Sequence, residues 1–130
     1  MDSLLVYETF EAVAAEYPAL ESFRVTGLER AAALRADLQF LSSTYSLTIP
    51  PPGPHGPGYS AHLRELAAES LPKFVCHYYN HYFAHTAGGR MIGKHFSNLL
   101  LDGTTLKFYE WEGDVKVRLF LIRLPTPCTC

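Results

Sequence analysis

The sequence predicts an all-α domain, because apolar side chains recur every three or four residues along most of the chain. Prolines and glycines cluster in the short stretches between these periodic segments, where helices are expected to end. The chain has 130 residues, 48% of them hydrophobic, which suffices for one domain with a buried core.

Composition and charge exclude several classes of function. The net charge is −2 and no run of lysines or arginines exists, so we expect no nucleic-acid partner, which would need a basic stripe. No stretch approaches the roughly 20 apolar residues that cross a bilayer, so no membrane span is expected. Met1 leads directly into a helical pattern, and no transit peptide is recognised. A chain complete as written would therefore be cytoplasmic.

Two amphipathic helices are predicted in the first third of the chain. The first covers residues 2–16 and ends before Pro18. The second covers residues 27–44, with Thr26 as its N-cap and Glu29 completing a capping box. The predicted buried stripe of the second helix consists of Leu28, Ala31, Leu34, Leu38 and Leu41, and its predicted water-facing side chains are Arg30, Arg35, Asp37 and Gln39.

A proline-rich stretch separates these helices from the rest of the chain. Residues 49–58 contain five prolines and three glycines and are predicted to form an extended loop. A short helix is predicted over residues 60–69 and a long one over residues 72–101. The long helix has two adjacent glycines near its middle, which predict a kink, a close helix crossing or contact with a flat ligand. Residues 115–124 are predicted to begin a further helix or a short strand.

Three histidines lie on one face of the long predicted helix. His77, His81 and His85 are four residues apart, with tyrosine and phenylalanine residues between them. Two histidines at this spacing can bind zinc, but zinc sites usually add a carboxylate or a third ligand, and no glutamate joins this stripe. Three interpretations stay open from the spacing: histidines with satisfied hydrogen bonds at the edge of a core, a metal site, or a pocket for an organic ligand.

The glycine pair follows His85 closely. Gly88 is three residues beyond His85 and is expected on the same helical face, with Gly89 next to it. A bare backbone flanked by aromatic rings and imidazoles leaves a slot for a planar ligand. The same glycines, together with Ala84 and Ala87, are equally typical of a close crossing with another helix, so both interpretations stay open.

The combination of these features is more specific than any one of them. Residues 74–93 read FVCHYYNHYFAHTAGGRMIG, and this segment resembles the distal helix of plant and green-lineage heme oxygenases. The resemblance covers residues 1–119 and includes TGLER at residues 26–30 and LKFYEW at residues 106–111. It implies an all-helical domain that oxidises heme to biliverdin and releases carbon monoxide and iron. In plants, the family acts in chloroplasts with reduced ferredoxin as electron donor.

The resemblance also implies roles for individual residues. Gly88 and Gly89 match the glycines over which the heme face lies. His85 matches the residue that holds a distal water network, which can donate protons to iron-bound dioxygen. Tyr79 matches a tyrosine near a heme propionate, and Arg90 matches the residue after the glycine pair in plant members. None of these residues matches the iron ligand of the family.

The resemblance leaves out both ends of the family's domain. The proximal histidine lies on a helix that precedes the segment matched by Met1, and the match ends near Leu119. We therefore expect residues 1–119 to be a heme oxygenase-like domain without its first and last helices, truncated at both ends, and residues 120–130 to be an unrelated tail. Two functions remain: a heme oxygenase that is impaired as this chain alone, or a non-catalytic heme-binding, tetrapyrrole-binding or interaction protein of the same fold.

Overall fold

The computed structural model describes residues 1–115 and residue 118. These residues form helices and connecting segments without a strand, so the predicted all-α class is confirmed. The α-helices are α1 (Asp2–Glu16), α2 (Ala31–Tyr45), α3 (His55–Glu69), α4 (Leu71–Ala84) and α5 (Arg90–Leu100). A π-helical turn, His85–Gly89, joins α4 to α5, and 3-10 turns occur at Pro18–Phe23 and Lys107–Tyr109. Among the helices of the described part, none has the length and apolar character of a membrane span.

Two predictions about the end of the chain remain predictions. The tail at residues 120–130 lies outside the described residues, and so does nearly all of the element predicted at residues 115–124.

The core forms where α1 meets α3 and α4. Helix α1 packs on α2 and α3, and α3 packs on α4, from which it is separated by a single residue. Phe10 of α1 is fully buried, and its ring centroid lies 5.6 Å from those of Phe74 and Tyr78 and 6.1 Å from that of Tyr82. This aromatic cluster holds the helix that leads into the glycine pair.

Helix α2 begins at Ala31, four residues later than predicted. The predicted contact between Thr26 and Glu29 does form, since the Thr26 N–H donates to Oε1 of Glu29 at 2.6 Å. However, Gly27 has a φ of 76°, which is incompatible with a helix. The contact therefore closes a turn ahead of the helix.

Glu11 of α1 caps α2 from outside the helix. Its Oε1 accepts the N–H groups of Arg30 at 2.7 Å and Ala31 at 2.9 Å, which have no acceptor within the first helical turn. We expect Glu11→Ala to lower the free energy of unfolding by about 1–2 kcal/mol in urea titrations. As the control, Glu8→Ala removes only an exposed ion pair with Arg35, and we expect a loss below about 0.5 kcal/mol. Equal losses would contradict the capping role.

Arg30 and Asp37 are buried, so the prediction that they face water is wrong. They are 7% and 5% exposed. The cause lies 70 residues further along the chain, where the Lys107–Tyr109 turn packs across α2 and supplies hydrogen-bond partners to both side chains. Charged groups are buried when they find such partners. In the predicted stripe, Leu28 and Ala31 are buried, whereas the later leucines are half-buried or packed at its edge.

Helix α3 begins at His55, within the stretch 49–58 that was predicted to be an extended loop. Pro57 is tolerated in the first helical turn, where its missing N–H has no helical acceptor. Gly56 lies against α1, and its N–H donates to Oδ1 of Asp2 at 3.1 Å. This tertiary contact explains why the helix starts five residues before the predicted start.

Candidate functional site

The predicted long helix is one helical run with an irregular centre. Helix α4 leads into the π-helical turn His85–Gly89, and α5 continues from Arg90 to Leu100. The helix is thus irregular at the glycine pair, and the kink, the close helix crossing and the contact with a flat ligand remain predictions. A π-helical turn carries an extra residue within the helix and is frequent at functional sites.

The π-helical turn changes which glycine lies next to His85. It accommodates more residues per turn than the 3.6 of an α-helix, so the residue four positions ahead comes over His85 and the residue three positions ahead rotates away. A Cβ atom on Gly89 would overlap Nδ1 of His85, whereas a Cβ atom on Gly88 would meet nothing within 4 Å. The prediction that Gly88 shares the face of His85 is therefore wrong: Gly89 lies beside His85, and Gly88 is exposed.

His85 is held within an aromatic environment and is 9% exposed. Its ring stacks on Phe108 with a centroid distance of 3.9 Å and lies 5.0 Å from Trp111 and 6.2 Å from Tyr7. Its Nε2 lies 2.7 Å from the carbonyl oxygen of Phe108. A carbonyl oxygen only accepts, so Nε2 donates and carries the proton in this contact. In the neutral ring, Nδ1 is then the acceptor, and it lies beside Gly89.

Several effects set the protonation of His85. Burial lowers the pKa of His85 below the ordinary histidine value, the hydrogen bond to the Phe108 carbonyl opposes this, and the positive charge of Arg30 lowers the pKa further. The imidazole is therefore neutral near pH 7. In that state it presents one hydrogen-bond acceptor, Nδ1, on the side of the glycine pair.

His77 and His81 are engaged between α3 and α4. The Nδ1 of His77 lies 2.6 Å from the hydroxyl oxygen of Tyr59, and His81 stacks on the same tyrosine with a centroid distance of 5.3 Å. The Nδ1 of His81 lies 3.3 Å from the carbonyl oxygen of His77. Within the described part of the chain, no group of three His, Cys, Asp or Glu residues is placed to hold a metal ion. These two histidines fit the interpretation of satisfied hydrogen bonds.

Burial lowers the pKa values of His77, His81 and His85 together, with a further contribution from the positive charge of His62 at His77 and of Arg30 at His85. Below about pH 6.5 the unfolded chain then binds more protons than the folded chain. We therefore expect the free energy of unfolding to fall between pH 7 and pH 5 in urea titrations. His85→Gln is expected to make this fall shallower. A constant or rising free energy of unfolding toward pH 5 would contradict the account.

The remaining predicted site residues are more accessible. Tyr79 is half-buried, and its ring stacks on Phe83 with a centroid distance of 3.5 Å. Arg90 is exposed and borders a cavity of about 590 Å³ between α5 and the segment that follows it. The structure thus brings Gly89 and His85 into contact, and it leaves Gly88 and Arg90 at the surface.

The exposed face of the helical run suits a flat, apolar ligand. Ala84 and Gly88 are exposed, and the face continues along α5 with the exposed side chains of Ile92, Phe96 and Leu99. Because no atom stands within 4 Å of a Cβ position at Gly88, a planar ring can approach the backbone there. Small residues followed by large apolar ones thus form an open, largely apolar surface along this face.

Sequence reasoning missed the residues that surround and support His85. These are Tyr7, Arg30, Asp37, Phe108 and Trp111. The available signal was the spacing of Arg30, directly before α2, and Asp37 within α2: they are seven residues apart, which places both on the side of the helix next to the buried stripe. Burial of that face depends on the distant Lys107–Tyr109 turn, which periodicity does not reveal.

Comparison with known proteins identifies the family of this chain. The family model described as heme oxygenase matches residues 2–120. Heme oxygenase 1, chloroplastic, of Oryza sativa subsp. japonica is 46% identical over 95% of this chain and 43% of its own length, and the protein of that name from Arabidopsis thaliana is 42% identical over 95% and 44%. Probable inactive heme oxygenase 2, chloroplastic, of Oryza sativa subsp. japonica is 42% identical over 92% and 36%. The chain thus spans less than half the length of these relatives. It belongs to the heme oxygenase family.

Proposed function

We propose that this chain forms the distal wall of a heme pocket in a protein that oxidises heme to biliverdin with release of carbon monoxide and iron. The observation that carries the proposal is the π-helical turn, in which exposed Gly88 offers bare backbone and Gly89 lies against Nδ1 of His85. Heme supplies the iron centre at which dioxygen is reduced. The protein supplies binding, orientation and hydrogen bonding around it.

Individual residues take the roles that this geometry supports. Gly88 and Gly89 lie against the face of heme. His85 uses Nδ1 to accept a hydrogen bond from water beside Gly89, and it thereby holds a proton donor in place. Tyr79 and Arg90 are the proposed contacts at the edge of the ring, where heme carries its propionates.

The proposed metal is the iron of heme. The proposed electron donor is reduced ferredoxin, and the proposed compartment is the chloroplast, since the relatives are named chloroplastic. The imidazoles of His77 and His81 are engaged with Tyr59 and with the backbone between α3 and α4, so neither is proposed as the axial ligand.

This chain alone is proposed to turn over heme more slowly than its longer relatives. The described residues would line one face of heme, and heme iron would also require a donor side chain to hold and tune it. A non-catalytic heme- or tetrapyrrole-binding protein is the second candidate function. Two relatives named probable inactive heme oxygenase 2 favour this second function. Each is 42% identical to this chain, and so is a relative named heme oxygenase 1.

Titration with hemin followed by reduction tests both functions. We expect a Soret band shift that saturates with the chain, and slow formation of biliverdin on addition of reduced ferredoxin. Saturable binding without biliverdin would select the non-catalytic function. Gly88→Leu is expected to abolish binding, whereas Gly58→Leu, at another glycine without neighbours within 4 Å of its Cβ position, is expected to preserve it. Equal affinities of the two variants would contradict the proposed wall.

A further inference from the structure

The carbonyl group that binds His85 belongs to a turn held by α2. One carboxylate oxygen of Asp37 accepts a hydrogen bond from the N–H of Lys107 at 2.8 Å, and the other accepts one from the N–H of Phe108 at 2.7 Å. These N–H groups open the Lys107–Tyr109 turn, where no helical acceptor is available. Asp37 thus fixes the start of the turn from a buried position.

Arg30 holds the same turn through its carbonyl groups. Its Nη1 donates to the carbonyl oxygens of Glu110 at 2.5 Å, Lys107 at 3.3 Å and Phe108 at 3.5 Å. The guanidinium carbon also lies 4.6 Å from the centroid of the Trp111 ring. The Phe108 carbonyl oxygen therefore accepts hydrogen bonds from both Arg30 and His85.

Two buried charged side chains, Arg30 and Asp37, contact this one turn. Among the described residues, neither Arg30 nor Asp37 forms an ion pair, since the pairs found there involve other residues at the surface. Burying a charge is costly even when hydrogen bonds compensate it, or when nearby carboxylates do, as Glu11 and Glu29 do for Arg30. Both charged side chains bond to the backbone around the Phe108 carbonyl, the group that contacts His85. Arg30 also donates through Nε to the carbonyl oxygens of Leu28 and Glu29.

We propose that Asp37 and Arg30 are positioning residues of the site. By holding the Phe108 carbonyl in place, they keep the proton of neutral His85 on Nε2 and turn Nδ1 toward Gly89 as the acceptor. A released carbonyl would allow the ring to rotate or to exchange its tautomer, and the acceptor beside the glycine pair would be lost. The value of this arrangement for heme rests on the proposed function, but the tautomer is a property of the chain without heme.

Nitrogen-15 and proton NMR of the histidine rings at pH 7.5 tests the proposal without heme. We expect His85 to show an unprotonated Nδ1 and a slowly exchanging Nε2–H proton. Asp37→Asn keeps the size of the side chain but offers only one acceptor oxygen, so one N–H of the turn loses its partner. The Nε2–H of His85 is then expected to exchange with water roughly tenfold faster, the factor allowed by loss of one hydrogen bond. Arg30→Lys is expected to act in the same direction, because lysine lacks the guanidinium fork.

Leu63→Val provides the control for a purely structural role. Leu63 is fully buried in the core and its apolar side chain makes no hydrogen bond to the turn. Its shortening lowers stability, and we expect the Nε2–H signal of His85 to persist. A proton on Nδ1 in the wild-type chain, unchanged exchange in Asp37→Asn and Arg30→Lys, or equal loss in Leu63→Val would overturn the proposal. Hemin binding is measured in a separate titration. Failure to bind heme would contradict the proposed function but would not affect the conclusion about the tautomer of His85.

Discussion

Gly89→Ala is expected to displace His85 and to lower the free energy of unfolding by about 1–3 kcal/mol. The added Cβ atom would overlap Nδ1 of His85. The ring is held by stacking on Phe108 at 3.9 Å and by the 2.7 Å contact to the Phe108 carbonyl, so it moves only by breaking these contacts. The higher helix propensity of alanine compensates at most about 1 kcal/mol of this loss of stability. Urea unfolding measures the stability, and the NMR signals of His85 report its displacement.

Gly88→Ala is the matched control at the neighbouring position. Nothing lies within 4 Å of its Cβ position, so alanine is expected to raise the free energy of unfolding by up to about 1 kcal/mol through helix propensity. The same methyl group is expected to weaken hemin binding, because it separates the backbone from the face of the ring. Stability changes of the same sign and size in the two variants would contradict the assignment of Gly89 as the glycine that contacts His85.

Phe10→Ala is expected to have the largest effect on stability, with a loss of about 3–5 kcal/mol. Phe10 is fully buried and contacts the rings of Phe74, Tyr78 and Tyr82, and its centroid lies 5.0 Å from that of His81. Such a loss is a large fraction of the roughly 5–15 kcal/mol that stabilises a typical domain. Urea unfolding and near-ultraviolet circular dichroism measure the loss and the loosening of the aromatic cluster.

A phenylalanine-to-alanine substitution on α5 distinguishes the contribution of the exposed face from that of the core. Phe96 is 44% exposed, and Phe96→Ala is expected to change the free energy of unfolding by no more than about 0.5 kcal/mol. It is expected to weaken hemin binding, since Phe96 lies on the open face that continues from Gly88. A loss of stability as large as that of Phe10→Ala would show that α5 is packed differently.

Local patterns predicted the features that depend on local interactions. The long helix and the irregularity at Gly88 and Gly89 follow from helical periodicity and from the cost of adjacent glycines, both of which are properties of neighbouring residues. The resemblance of residues 74–93 to the distal helix of plant heme oxygenases concerns the same segment. The roles carried over for Tyr79, His85 and Arg90 remain predictions.

Long-range packing accounts for what the patterns missed. Arg30 and Asp37 are buried because a turn 70 residues away packs across α2, and such a contact leaves no trace in the spacing of apolar residues. Helix α2 also starts late, where Glu11 of another helix supplies the acceptor for its first N–H groups. The relation between His85 and Gly88 was mispredicted because α-helical geometry was assumed through a π-helical turn.

Paramagnetic broadening by ferric hemin tests the central claim most directly, namely that heme lies over the glycine pair. Hemin is titrated into the nitrogen-15-labelled chain, and the amide signals are followed. We expect the signals of Gly88 and Gly89 to disappear at the lowest hemin ratios, while that of Gly58 on α3 persists. Persistence of the Gly88 and Gly89 signals, with broadening first around His62 and His77, would place heme elsewhere and contradict the account.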